Sequence, residues 1–221
     1  MKKTAIILGA TGLTGNILLQ RLLEDDRYGQ IVLFSRNSSG RNGPKVKEYI
    51  INLFELHQYE QEFKADEVFC CIGTTKAKTP DKQTYKAIDY GIPVSAARLC
   101  KIHNIQTFIV VSALGANTKS SFFYNRIKGL MEKEVLNFDI KNTYILQPSL
   151  IEGQRREKRK GEWFFKQLAS AMPFLKVGPL KKFQPVPAYK IAKAMIYLAN
   201  STHKEIRIKN HKIHEIADAN D

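Results

Sequence analysis

Tyr124 and Lys128 stand four residues apart in Tyr-Asn-Arg-Ile-Lys, which puts both side chains on one face of a helix. A phenol with an ordinary pKa near ~10 is a poor acid–base group at neutral pH. A nearby ammonium favours the phenolate and brings the group toward the operating range. Ser112 follows the apolar run Thr107-Phe108-Ile109-Val110-Val111 and adds a hydroxyl that can orient a carbonyl or an alcohol. Together the three side chains offer proton transfer at an oxygen atom. The same pair also suits a tyrosine packed as an amphipathic residue beside a solvated lysine, so its meaning depends on its surroundings.

Near the N-terminus, Ala5-Ile6-Ile7-Leu8 reads as a short buried strand and is followed by evenly spaced glycines, Gly9, Gly12 and Gly15. Helically spaced apolar residues come next. The first glycine permits a tight turn, the second lets backbone approach a pyrophosphate, and the third lets helix pack on strand. Free N–H groups and the dipole at the helix start favour a phosphate. The spacing is G-x-x-G-x-x-G rather than G-x-G-x-x-G. The strand before the glycines and the helix after them supply the context that a glycine triplet alone lacks.

After the next strand comes Ser35-Arg36, where an acidic residue would hold ribose hydroxyls and favour NAD(H). An arginine presents a planar donor fork suited to a 2′-phosphate, so NADP(H) is expected over NAD(H). A surface arginine is the plain alternative in so basic a chain.

The glycine loop, Ser35-Arg36, Cys71-Ile72-Gly73-Thr74-Thr75, Val111-Ser112-Ala113-Leu114-Gly115-Ala116, Tyr124-Asn125-Arg126-Ile127-Lys128-Gly129 and Gln147-Pro148-Ser149 carry a resemblance spanning residues 4–150. They resemble a short-chain dehydrogenase/reductase of the atypical or extended kind, and more narrowly its Tat-interacting-protein-like, NAD(P)H-binding branch. The resemblance implies a catalytic triad of Ser112, Tyr124 and Lys128, with Tyr124 as acid–base and Lys128 also holding the nicotinamide ribose. It implies cofactor contacts from Gly9, Thr11, Gly12, Leu13, Thr14, Gly15, Ser35, Arg36 and Leu53. Gly73 and Thr74 would pass under the cofactor, and Pro148 would lie near the nicotinamide. Two positions depart from the pattern: Asn52-Leu53 stands where an acidic residue often contacts adenine, and Gln147-Pro148-Ser149 replaces Arg-Pro-Gly. The implied activity is hydride transfer between NADP(H) and a small carbonyl or alcohol. The alternative is a non-catalytic NADP(H)-binding regulatory or redox-sensing protein. Epimerisation of a nucleotide-sugar is a weaker option.

These residues need a frame that brings strand ends together. Strands are read at 5–8, 31–34, 49–53, 67–72, 107–111 and 142–147, with another at 205–208. Helices are read at 13–24, 56–63, about 80–100 with a kink or a break into two pieces at Gly91 and Pro93, 122–136, 162–171 and 188–199. Alternating strands and helices give a Rossmann-type, doubly wound α/β fold: a parallel sheet with helices on both faces. Ligands then bind at the carboxyl ends of the strands, so Gly9, Ser35, Leu53, Gly73 and Ser112 should face one crevice. Residues 1–221 are expected to form a single domain, with 151–187 as a small substrate-side insertion or lid. Its large apolar residues, Trp163, Phe164, Phe165, Met172, Phe174 and Phe183, suit an apolar substrate pocket or core packing equally.

Composition bounds the remaining options. At 43% hydrophobic and 25% charged, the 221 residues are ordinary for a globular protein. No apolar run reaches the roughly 18 residues a membrane span needs, and no signal peptide is read, so a cytoplasmic protein is expected. Three cysteines, Cys70, Cys71 and Cys100, show no metal-binding spacing and read as reduced, buried thiols, and no metal is expected. The net charge of +14 is spread along the chain and is densest at Arg155-Arg156-Glu157-Lys158-Arg159-Lys160. No nucleic-acid motif accompanies it, so specific nucleic-acid binding is not expected. The expected partner is a small-molecule substrate, and homo-oligomerisation is left open.

Overall fold

Ala5, Ile6, Ile7 and Leu8 are wholly buried, as a strand covered on both faces requires. The computed structural model describes residues 1–153 and 183–219. Within them the strands are β1 (Lys3–Leu8), β2 (Tyr28–Ser35), β3 (Val46–Ile50), β4 (Glu67–Cys70), β5 (Thr107–Val111), β6 (Asn142–Gln147), β7 (Ile151–Glu152), β8 (Val186–Pro187) and β9 (Arg207–Lys209). The α-helices are α1 (Leu13–Glu24), α2 (Lys82–Lys86), α3 (Ile92–Ile102), α4 (Phe123–Asn137), α5 (Ala188–Ala199) and α6 (Asn210–Asp218). Seven strands form one parallel sheet in the order β3-β2-β1-β4-β5-β6-β9, and β7 pairs with β8 in a small parallel ribbon.

Alternate residues of each central strand face opposite layers. Ala5, Ile7, Leu33, Phe69 and Ile109 join Leu18, Leu22, Ile191, Met195 and Ile213 beneath α1, α5 and α6. Ile6, Leu8, Phe34, Val68 and Phe108 join Leu56, Phe63, Leu99, Met131 and Val135 on the other face. Each fully buried large side chain contributes about 1.5–3 kcal/mol. The doubly wound architecture is therefore the one expected, and the carboxyl ends of the strands share one edge.

Three local details matter. The strand expected at 49–53 lies at Val46–Ile50. Asn52 accepts the Phe54 N–H at 3.2 Å and turns the chain into a 3₁₀ segment, Leu53–Glu62, so the apolar run ends in a cap. Leu53 consequently opens that segment, with only 4% of its surface exposed. The helix expected to kink or fall into two pieces near Gly91 and Pro93 is two α-helical pieces joined by a π-turn, Ala87–Gly91, where the Ile92 N–H reaches back to the Ala87 carbonyl. Finally, α6 follows β9 directly and had no counterpart among the expected elements.

The basic cluster at 155–160, the helix expected at 162–171 and, except for Phe183, the late apolar residues named above lie outside the described residues, as does most of the expected insertion. Among the described residues, no helix is long and apolar enough to cross a membrane.

Candidate functional site

The glycine loop is held by its own backbone. Gly9 has φ +88°, and its carbonyl accepts the Gly12 N–H at 3.0 Å. A Cβ at Gly15 would sit 2.1 Å from the Gly9 oxygen, so only glycine allows α1 to start there. A Cβ on Gly9 would press on the Cys71 backbone at 3.0 Å, because β1 and β4 end side by side. Gly12 is the N-cap of α1 and brings no side chain, and the first turn holds no acid. This glycine-lined helix start fits a dinucleotide pyrophosphate. Thr11 and Gly12 are exposed, Leu13 is half-buried and Thr14 and Gly15 are buried.

At the end of β5 and the start of α4, the expected triad is split between two networks. Lys128 pairs with Asp89 at 2.8 Å, both side chains being at most 3% exposed, and also donates to the Val111 carbonyl at 3.4 Å. Asp89 sits in the π-turn and accepts the Thr74 N–H at 2.8 Å. A Cβ at Gly73 would lie 3.6 Å from Asp89 Oδ1 and 3.8 Å from Lys128 Nζ, so this glycine packs directly over the buried ion pair. Burial opposes the Lys128 charge, but Asp89, with Tyr124 adding to it, holds the ammonium above its ordinary pKa.

Tyr124 lies one turn before Lys128 and keeps 40% of its surface exposed. Its ring meets Tyr85 edge-on at 6.5 Å between centroids. Loss of water around the phenol pushes its pKa up; the Lys128 ammonium counters this, and the Asp89 carboxylate adds to the rise. Lys128 pulls the phenol downward as expected, but the loss of water, with Asp89 adding to it, outweighs that pull.

Ser112 belongs to the second network. Its hydroxyl donates to Glu132 Oε1 at 2.6 Å, beside the Gln147 amide at 2.8 Å. Arg207 on β9 donates to Glu132 Oε2 at 2.8 Å. Ser112 is only 3% exposed, and with its hydrogen engaged its oxygen is left to accept. Glu132 was missed in the sequence, although Tyr124, Lys128 and Glu132 share one helix face at four-residue spacing. Asp89 also had a signal, a carboxylate among apolar helix positions just before Gly91.

The remaining expected residues line the same edge. Ser35 is buried at the end of β2, and Arg36 beyond it is exposed. Thr74 bonds Thr79 through their hydroxyls at 2.8 Å. The Pro148 carbonyl accepts the Leu114 N–H at 2.7 Å. Gly153 backs onto Leu13, where a Cβ would meet its methyl at 2.9 Å, which brings the chain after β6 to the glycine loop. Asn210 anchors that chain by accepting the Ser149 N–H and donating to the Gln184 carbonyl, each at 2.8 Å. The thiols of Cys70, Cys71 and Cys100 are free, and burial pushes Cys70 up to about 11. Among the described residues, no cluster of His, Cys, Asp or Glu forms a metal-binding group.

The chain is similar to known proteins. A family model described as NAD(P)H-binding matches residues 9–158. "Protein FMP52-1, mitochondrial" of Scheffersomyces stipitis is 34% identical over 166 residues, covering 72% of this chain and 71% of that protein. "Protein FMP52, mitochondrial" of Meyerozyma guilliermondii is 32% identical over 212 residues, covering 92% and 90%. "Protein HTATIP2" of Rattus norvegicus is 28% identical over 175 residues, covering 77% and 72%. Among solved structures, the Bordetella bronchiseptica enzyme WbmH in complex with NAD+ superposes with TM-score 0.70 at 16% identity, covering 98% of this chain and 79% of that one. The Rossmann-type fold and the Tat-interacting-protein-like resemblance are thereby upheld. The cytoplasmic expectation is overturned, because the FMP52 relatives are named mitochondrial.

Proposed function

The chain belongs to the NAD(P)H-binding family, and on that premise we propose that it is an NADP(H)-dependent oxidoreductase of the short-chain dehydrogenase type. Its substrate would be a small carbonyl or alcohol. The observation that carries this reading is the buried Lys128–Asp89 pair one helical turn from Tyr124, with Gly73 packed over it.

When bound, the dinucleotide would supply hydride chemistry at a carbon atom. The backbone of Gly9, Gly12 and Gly15 at the start of α1 would hold its pyrophosphate, and the Arg36 fork its 2′-phosphate. Tyr124 Oη would give a proton to, or take one from, the substrate oxygen. Lys128, kept charged by Asp89, would stabilise the phenolate that results. The Ser112 oxygen, its hydrogen held by Glu132, would accept a hydrogen bond from the substrate's hydroxyl or from Tyr124.

The test is turnover of NADPH with a panel of carbonyl compounds, wild type against Tyr124→Phe. A loss of about a hundredfold is expected, and unchanged turnover removes Tyr124 from the role. Parallel titrations with NADPH and NADH test the cofactor preference; equal affinities end it.

Two observations favour the second reading, a non-catalytic NADP(H)-binding regulatory or redox-sensing protein. The Ser112 hydroxyl is tied to a buried carboxylate, and the Tyr124 phenol is pushed away from neutral pH. Tight NADPH binding without turnover on the whole panel selects that reading.

A further inference from the structure

Glu48 on β3 holds the loop that follows Arg36. Its carboxylate accepts the Ser38 hydroxyl at 2.7 Å and the Ser39 N–H at 2.8 Å, and the Ser35 hydroxyl points to it at 3.4 Å. The register explains the meeting: Ser35 pairs with Ile50, so Glu48 lies two residues back on the same face of β3. Ser38 and Ser39 hydroxyls in turn receive the Gly40 and Arg41 N–H groups at 3.1 and 3.3 Å, which winds the loop around the carboxylate. Burial opposes the charge, yet the Ser39 N–H and the Ser38 hydroxyl outweigh it and hold the carboxyl below its ordinary pKa.

Donors flanking an exposed arginine at the end of the second strand are the groups a phosphate monoester takes. A carboxylate at that strand end is what ribose hydroxyls take. Here one anion, contributed by β3, already fills the donors. The sequence motif did not reveal it because the carboxylate comes from the neighbouring strand, twelve residues beyond Arg36.

We propose that Glu48 sets the dinucleotide preference of this protein. Its carboxylate accepts the adenosine ribose hydroxyls of NAD(H), and it must release Ser38 and Ser39 before a 2′-phosphate can settle beside Arg36. Glu48 therefore holds down the NADP(H) preference that Arg36 alone would give. The inference rests on the dinucleotide reading above.

The experiment is calorimetric titration of the full chain with NADPH, NADH, 2′,5′-ADP and 5′-AMP. The two fragments differ only in the 2′-phosphate. For Glu48→Gln, affinity for NADPH and 2′,5′-ADP should rise about tenfold as the like charge is removed. Affinity for NADH and 5′-AMP should fall about threefold or more as the ribose hydroxyls lose their charged acceptor. Glu48→Asp, which withdraws the carboxylate while keeping its charge, should shift the ratio in the same direction by less. Parallel shifts for all four ligands, or none in a folded variant, overturn the proposal. If the unaltered protein binds neither dinucleotide, the dinucleotide reading itself fails and takes this inference with it. Binding of both with an unmoved ratio in the variants defeats this inference alone.

Discussion

Lys128 Nζ and Asp89 Oδ1 lie 2.8 Å apart with both side chains almost wholly out of water. Two charges so placed are stable only together, since removing one strands the other in a poorly solvating interior. Asp89→Ala should therefore destabilise the protein by about 3–5 kcal/mol, measured by urea unfolding. Lys128→Met should cost about as much, because it strands Asp89. The double substitution should fall well short of the sum, because it leaves no unpaired charge. Additive effects would show that the pair is not coupled.

Ser112 and Tyr124 should separate in a comparison of stability with turnover. Ser112→Ala removes a donor from a buried carboxylate that keeps Gln147 and Arg207, so a loss of about 1–2 kcal/mol is expected. Glu132→Ala strands all three donors and should cost about 3 kcal/mol or more. Tyr124→Phe, at a side chain that keeps 40% of its surface exposed, should change stability by under about 0.5 kcal/mol while lowering turnover about a hundredfold. A stability loss for Tyr124→Phe as large as that for Ser112→Ala would assign the phenol a structural role.

Much of this arrangement was legible in the residues. Helix α1, strands β5 and β6 and helix α5 fall at the expected positions, because strict apolar periodicity and clear turn residues bound them. The edge strand β3 slid by three residues because it is only half-buried, while the apolar residues after it enter the core as a 3₁₀ turn. Helix α6 has only Ile213, Ile216 and Ala217 as buried apolar residues and no capping side chain, so little marks it. In the site, the types Ser112, Tyr124 and Lys128 were readable, but their partners were not. Asp89 reaches Lys128 only because the π-turn carries it into the crevice, and Arg207 reaches Glu132 across a strand pairing sixty residues away in sequence. Such long-range partners have no local signature.

Stability should fall in alkali. The ordinary pKa values are 9.0 for a thiol, 10.0 for a phenol and 10.5 for an ammonium. In the fold burial pushes Cys70 up to about 11, burial raises Tyr124, and Asp89 raises Lys128 against its own burial. Above pH 9 the unfolded chain therefore loses protons that the fold keeps, so ionisation pulls the equilibrium toward unfolding. The contribution is complete below pH 9 and is lost progressively as pH rises through the raised values. Urea midpoints at pH 7.5, 9 and 10.5 should decline across the series, and a flat profile would contradict the buried placement of these groups.

The glycine loop should rank its three positions by geometry. A Cβ at Gly15 would overlap the Gly9 carbonyl at 2.1 Å, and neither the helix start nor the turn can move aside without opening the loop. Gly15→Ala should abolish dinucleotide binding and destabilise by about 3 kcal/mol or more. Gly9→Ala must adopt φ +88° beside the Cys71 backbone, a strain of about 1–3 kcal/mol. Gly12 has ordinary φ, and its Cβ would meet only the Gly9 oxygen at 3.2 Å. Gly12→Ala should leave folding within about 1 kcal/mol of wild type and weaken binding, because the added methyl stands where backbone must approach the pyrophosphate. Thermal unfolding and NADPH titration on the three variants separate the effects. Equal binding by Gly12→Ala and wild type would show that no phosphate approaches the start of α1.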